Sequence, residues 1–558
     1  MNYKKTIPIL LLSLISARVV AQQADLALVG GNIITLKNKG DRAQALTIKD
    51  GFIQATGSDQ DVKKYIGPNT KVIQLNGKTV VPGFNDVHQH PSPIYLFKEP
   101  YAVLKLDTVS SMKNLIALLK RKAAITPKGM LISGVGYNET KLGGQPIRDS
   151  LDKASTVHPI LIRHVSGHLS AANSFLMRLN KIDKTVKDPP GGAFERYLGT
   201  NDPDGICKEA AASFLRRSPN IIYPPKPTPA QEMAGYRLYF NNVLASGVTS
   251  IGDAGVEPAK LRIYKKLVAE HFPMRFNVMI RFNYIDEILK GNVPRIQTDY
   301  LRVSTVKVFH GNSLSGKTCW LNDPYDMVNP VTGKEDYYGI PPARSQAGLD
   351  SLFLKIHGAG WQIACHSNGD REIDMVIAAI EDAQKISPRT DARHRIEHCS
   401  ITTQNILTRI KLDGIIPVFH NYMYELGEKM LVYGPDRTAM MHPTKTAQEM
   451  DIIYALHSDA PISPYNAMPR LGSAVNRKTE DGVVIGPNQR IDAEDAIKAY
   501  TYGGAYTTFE EKKKGLLLPG QFADMVVLDK DPTKIDTDDI RNIKVSTTIV
   551  GGKIAYQK

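Results

Sequence analysis

Short apolar runs recur eight times between residues 79 and 460, and ionisable side chains collect at their C-terminal ends. The runs are TVVPGFNDVHQH, GVTSIGDAG, MRFNVMIRF, STVKVFHG, WQIACHS, RHRIEHC, IIPVFHN and IIYALHSDA. Helix-length amphipathic segments alternate with them, the pattern of βα units around a parallel sheet. Eight such units predict an α/β chain folded as a (β/α)8 barrel, in which chemistry sits where the strands end. The first, fourth, fifth, sixth and eighth runs end in His88 and His90, Lys307, His366, His398 and Asp459. His88 and His90 stand two apart, and residues i and i+2 of a strand share a face. Neutral imidazole and carboxylate gathered at one point suit zinc and related divalent ions.

About 155 residues separate the first run from the second, far more than one βα unit needs. An insertion spanning roughly 95–235 therefore forms a cap or subdomain, with its own strand PILIRHVSGH and a Pro-rich exit, YPPKPTP. The ends of the chain are β-rich. ADLALVGGNIITL and ALTIKDGFIQATG stand near the start, ADMVVLDKD and VSTTIVGGKIAYQK at the finish. They are expected to pair into one small β-domain, built from 22–82 and 513–558 around a catalytic unit at 83–512.

Lys4 and Lys5 precede the apolar run IPILLLSLIS, and VVA sets small residues before Gln22. Residues 1–21 thus read as a secretory signal peptide, and the mature protein as soluble and exported to the periplasm or medium. An uncleaved anchor is the alternative, although the run is short for a bilayer. The formal charge of +14 is scattered, and its densest stretch, EEKKKG, carries its own glutamates. With no recognition motif beside it, that charge excludes a nucleic-acid partner. The four cysteines are widely spaced with no CxxC pair, which reads as buried thiols, with one disulfide as the alternative in an oxidising compartment.

Taken in order, VVPGFNDVHQH, GHLSAANS, SGVTSIGDAG, VKVFHGNSLSG, HSNGD, RIEHC, SDAP and GQFADMVVLDKDP resemble the amidohydrolase superfamily. The resemblance is to its N-substituted formamide deformylase-like branch and covers nearly all of the mature sequence. It implies a distorted (β/α)8 TIM barrel, a small β-sandwich from both termini, and an insertion after the first barrel strand. It also implies a ligand set: His88, His90, Lys307, His366, His398 and Asp459 around one or two divalent ions, with zinc the expected metal from their chemistry. Lys307 matches a lysine that some relatives carboxylate to bridge two metals. The alternative is an ordinary ion-pairing lysine beside a single ion.

Asp459 is the expected catalytic residue, taking a proton from the nucleophilic water. His168 and Trp320 lie in segments that border the substrate pocket in relatives. Relatives commonly carry Asp-Gly where this chain has His310 and Gly311. His310 is either a solvent-facing loop residue or a further ligand or substrate contact. By strand alternation Glu397, Cys365 and Cys399 are expected to face away from the metal, Glu397 in helix-side packing or supporting a ligand from behind rather than in direct catalysis. The implied function is an exported metal-dependent amidohydrolase that cleaves a non-peptide C–N bond in a small molecule. Ester or lactone hydrolysis on the same scaffold and non-catalytic ligand binding are the alternatives, and assembly into a homo-oligomer is compatible with the sequence.

Overall fold

A computed structural model describes residues 22–94, 97–329 and 332–558. All eight expected strands are present: β1 (Phe84–Gln89), β2 (Val248–Val256), β3 (Arg275–Arg281), β4 (Leu301–Phe309), β5 (Gln362–Ser367), β6 (Arg395–His398), β7 (Ile416–Phe419) and β8 (Ala455–Leu456). Each pairs in parallel with the next around the sheet. Strand β8 is only two residues long, so the ring is closed by the chain just beyond it. Asp459 N–H donates to the His88 carbonyl (3.0 Å), and His90 N–H donates to the Ala460 carbonyl (2.7 Å). That closure joins the first and last site-bearing segments directly.

The first run is not one strand. Residues 79–82 pair with 525–528 and 32–34 in a sheet made by the termini, and only the residues after Gly83 enter the barrel. A Cβ on Gly83 would sit 2.2 Å from the Thr249 side chain, so the crossing from one sheet to the other passes too close for any larger residue. A four-stranded sheet of 26–29, 45–49, 52–57 and 71–74 packs on this six-stranded one. Leu28, Leu46, Ile53, Val80, Met525 and Ile549 from both sheets share one core. The two ends of the chain therefore build one β-sandwich.

The insertion holds a six-stranded sheet between Leu104 and Glu209. Separate apolar clusters cover its two faces, one around Leu115, Leu119 and Ile162, the other around Leu161, Leu176 and Leu215. The helix Pro229–Ala245 then leads back into β2. Thr228 and Gln231 form a reciprocal capping box and Pro229 occupies the first turn, which sets where the helix starts. Beneath the barrel mouth, Ala254, Met279 and Ala364 meet from strands β2, β3 and β5, and such contacts fill a barrel interior rather than leave a pore.

All four cysteines are buried and free, so the disulfide alternative finds no support. Burial pushes their thiols up, which keeps them protonated and poor nucleophiles. Among the described residues no helix is long and apolar enough to cross a membrane. The segment read as a signal peptide, 1–21, lies outside the described residues.

Candidate metal centre

His88 is fully buried at the end of β1, and its Nδ1 meets a carboxylate oxygen of Glu397. A carboxylate accepts, so Nδ1 carries the proton and the Nε2 lone pair is free. That lone pair faces Asp459 Oδ1 at 3.4 Å and Lys307 Nζ at 3.4 Å. His90 Nε2 approaches the same Asp459 oxygen at 3.3 Å. One ligand atom from each of His88, His90 and Asp459 lies within 4.8 Å of the others. Asp459 Oδ1 is buried without a hydrogen-bond partner, as a carboxylate oxygen waiting for a cation or a proton is expected to be.

Glu397 corrects the alternation argument. It points toward His88, and Arg395 two residues earlier grips it with hydrogen bonds of 2.8 and 3.0 Å. His398 has φ +71° and Cys399 +43°, so the backbone leaves the extended conformation as β6 ends. Strict alternation stops there, and Glu397 and His398 both serve the mouth of the barrel. Cys365 and Cys399 do pack in the outer apolar core.

His398 gathers with two residues that sequence reasoning missed, His420 after β7 and His457 after β8; their ligand atoms also lie within 4.8 Å of one another. The signal was present in the sequence. VFHN and ALHSDA end runs seven and eight, the same position that marked the other ligands. His366 lies against His398, with ring centres 4.5 Å apart, but its Nε2 is 3.0 Å from the Asn312 carbonyl and belongs to neither group. Burial is the main force lowering the pKa of His88, His366, His398, His420 and His457 well below the usual imidazole value. Their neutral rings are the metal-binding form.

Lys307 is fully buried, and no carboxylate among the described residues comes within ion-pair distance of its Nζ. Burial lowers its pKa to about 8 against the attraction of Glu397 and Asp459. His168 reaches the site from a turn of the insertion, its ring 5.3 Å from that of His366. Glu209 holds His168 Nδ1 at 2.6 Å and also accepts from Ser313 N–H at 3.1 Å. Burial disfavours the His168 cation, yet the charge and hydrogen bond of Glu209 outweigh it and raise the pKa.

Two expected pocket residues, His310 and Trp320, lie in the segment after β4. His310 is 2% exposed, which rules out a solvent-facing loop residue. Both of its ring nitrogens lack partners, and burial followed by the nearby Arg344 lowers its pKa to about 4. Trp320 donates its backbone N–H to Glu372, and its ring lies 3.7 Å below the Arg371 guanidinium. Neither belongs to the two ligand groups.

The donor set fits a divalent cation: buried neutral imidazoles, a free carboxylate oxygen, and a tautomer fixed by a carboxylate behind the ring. Fold and site together define a class, a metal-dependent hydrolase on a (β/α)8 barrel with its ligands at the strand ends. The chain belongs to the amidohydrolase family, whose model matches residues 71–556. It is 25% identical to the Bacillus subtilis protein YtcJ, over 95% of this chain and 99% of that one. It is also 25% identical to N-substituted formamide deformylase of Arthrobacter pascens, over 97% and 99%. A metal-dependent hydrolase from Pyrococcus horikoshii shares the fold at TM-score 0.68 and 23% identity, covering 92% of this chain and 99% of that chain.

Proposed function

We propose that this protein is an exported zinc enzyme that hydrolyses a small N-substituted amide or formamide. The observation that carries the reading is Asp459, whose unpartnered Oδ1 faces the Nε2 atoms of both His88 and His90. A divalent cation bound by these three residues supplies Lewis-acid polarisation of a carbonyl and a lowered pKa for water. The chain's own residues do the rest. Asp459 takes the proton of the attacking water and returns it to the leaving amine nitrogen. Glu397 and Arg395 hold His88 in the tautomer that presents Nε2. His168, braced by Glu209 at the rim, orients the substrate. A formamide-type substrate accords with the name of the Arthrobacter relative.

Lys307 as a carbamate completes this reading, since the modification would replace a buried amine that has no carboxylate partner among the described residues with an anionic group able to ligate a cation. Labelled bicarbonate should give a carbamate carbon signal in the wild type that Lys307→Ala loses; its absence from metal-loaded protein returns Lys307 to an ordinary lysine. Export rests on the order of Lys4, Lys5, the apolar run and VVA. Native protein should begin near Gln22, and an intact Met1 terminus in the cytosol overturns it.

The activity test is a panel of N-substituted formamides, amides, esters and lactones, with and without chelator. Amide or formamide turnover should vanish on chelation and return with zinc. Asp459→Asn, which keeps an oxygen ligand but cannot take the proton, should lower turnover about 10²–10⁴-fold. Activity confined to esters or lactones, chelator-insensitive turnover, or an unaffected Asp459→Asn variant contradicts the proposal.

A further inference from the structure

We infer that Arg281, at the end of β3, binds a carboxylate on the substrate, so that the preferred substrates are N-substituted amides carrying a carboxylate group. The inference rests on the amide-hydrolase reading above and adds to it the charge of the molecule that the site receives.

The third apolar run, MRFNVMIRF, gives no residue to either ligand group, yet it too reaches the barrel mouth with an ionisable side chain. Arg281 keeps extended backbone, with φ −62° and ψ 138°, so alternation along β3 still holds at its last residue. Met279, two residues earlier, meets Ala254 and Ala364 inside the barrel, while Val278 and Ile280 pack in the outer core. Arg281 therefore points to the barrel axis. In the parallel register of β3 and β4 it is the partner of Lys307, which sets it at the same level as that residue.

Phe309, two residues beyond Lys307, links Arg281 to the site. Its ring centre lies 5.1 Å from Lys307 Nζ, 5.5 Å from the Arg281 guanidinium carbon and 6.4 Å from the centre of the His366 ring. A guanidinium held over an aromatic face is kept in place with its donors directed outward from the ring edge. Phe309 and Arg281 are both half-buried, so this wall of the site is open to an incoming molecule.

The donors of that guanidinium are not satisfied within the chain. Nε is buried without a hydrogen-bond partner, and Glu257 approaches one terminal nitrogen at 3.9 Å, beyond hydrogen-bond reach. The two side chains are 43% and 58% exposed, so water screens their contact and it contributes little. A planar guanidinium matches a carboxylate in a bidentate pair, a stronger contact than the one Glu257 makes. One guanidinium also balances the single negative charge of a carboxylate. An amide bound with its carbonyl at the ligand groups and its carboxylate over Phe309 would meet these donors, whereas a neutral amide would leave the buried Nε unpaired.

The test compares zinc-loaded wild type with Arg281→Lys and Arg281→Met on paired compounds. These are N-formyl and N-acetyl derivatives of glycine, β-alanine and γ-aminobutyrate, each set against the same compound with its carboxylate replaced by a carboxamide. The readout is the ratio of kcat/KM within each pair, which cancels any general loss of folded or metal-loaded enzyme. At the best chain length the wild type should prefer the carboxylate about tenfold or more, as expected of a hydrogen bond between charged groups. The preference should lie in KM rather than kcat, because the contact is made before and during reaction alike. Arg281→Lys, with the charge but not the fork, should keep part of the preference, and Arg281→Met should abolish it. Calorimetric binding of the same pairs reads the preference without turnover. Equal treatment of carboxylate and carboxamide by the wild type in both assays, or a preference that survives Arg281→Met, overturns the inference. Carboxylate-selective binding that Arg281→Met abolishes, in a protein that hydrolyses none of the amides, defeats the hydrolase reading and leaves the Arg281 assignment standing.

Discussion

Glu397 illustrates how a residue can act on a metal centre without touching the metal. Its carboxylate fixes the proton of His88 on Nδ1, and the two Arg395 bonds hold it in place inside the barrel. Removing one partner of such a buried array leaves the others uncompensated. Glu397→Gln is nearly the same shape but weakens the pull on the imidazole proton and the grip of Arg395. Metal affinity should fall about 10–100-fold, the usual effect of losing an outer partner of a ligating histidine. Competition against a chromophoric chelator measures this, and unchanged affinity dismisses the bracing role. RIEH at a strand end pointed to His398 in the sequence, but the importance of the preceding glutamate was hidden by the left-handed backbone at His398.

At the scale of elements, the loop after β4 is tied to the helix Asp370–Ile386 by Glu372, whose carboxylate accepts four backbone N–H groups. Asn312 donates at 3.0 Å, Trp320 at 2.7 Å, Asn368 at 3.1 Å and Gly369 at 3.0 Å. Burial raises the Glu372 pKa to about 8 against these donors. Gly311 makes the approach feasible: its φ is +98°, and a Cβ there would lie 2.3 Å from Glu372 Oε2. Gly311→Ala should therefore destabilise the protein by about 1–3 kcal/mol through backbone strain, with steric displacement of the carboxylate in addition. Denaturant unfolding tests the loss. Because the Asn312 carbonyl holds His366, the same variant should also disturb the His366 side of the site. An alanine variant of wild-type stability shows that the loop can move without penalty.

At the scale of the whole molecule, the insertion brings His168 to the barrel and must stay docked to do so. Glu139 of the insertion accepts from His164 Nε2 at 2.6 Å and from Lys429, in the segment after β7, at 2.7 Å. Ser166 N–H donates to His164 Nδ1 at 3.1 Å, which leaves the ring neutral with its proton on Nε2. Burial opposes the Glu139 charge, but the His164 hydrogen bond and the Lys429 charge outweigh it and hold the carboxyl well below its ordinary 4.5. A depressed folded-state pKa contributes stability above the unfolded value, and this is lost as pH falls through the folded one. The melting temperature of the wild type should thus decline more steeply below pH 4.5 than that of Glu139→Gln, which cannot titrate. Parallel declines in the two proteins contradict this account of docking.

The eight strands were legible because each is a short apolar run bounded by turn residues, and the β-sandwich because both ends of the chain repeat the same alternation. His88, His90 and Asp459 could be read together because a strand-end position and a two-residue spacing are properties of the local chain. Other features depend on contacts that no local pattern encodes. Gly83 divides one apolar run between two sheets because Thr249, far away in sequence, comes too close for a side chain. Glu397 faces His88 because barrel closure brings β6 to β1 and a left-handed turn overrides alternation. His310 lies buried, and His420 and His457 join His398, only once the strand ends converge on one axis. Sequence periodicity decides which face of a strand a residue occupies, but hydrogen bonds and packing between distant segments decide which residues share a site, and those exist only in the closed barrel.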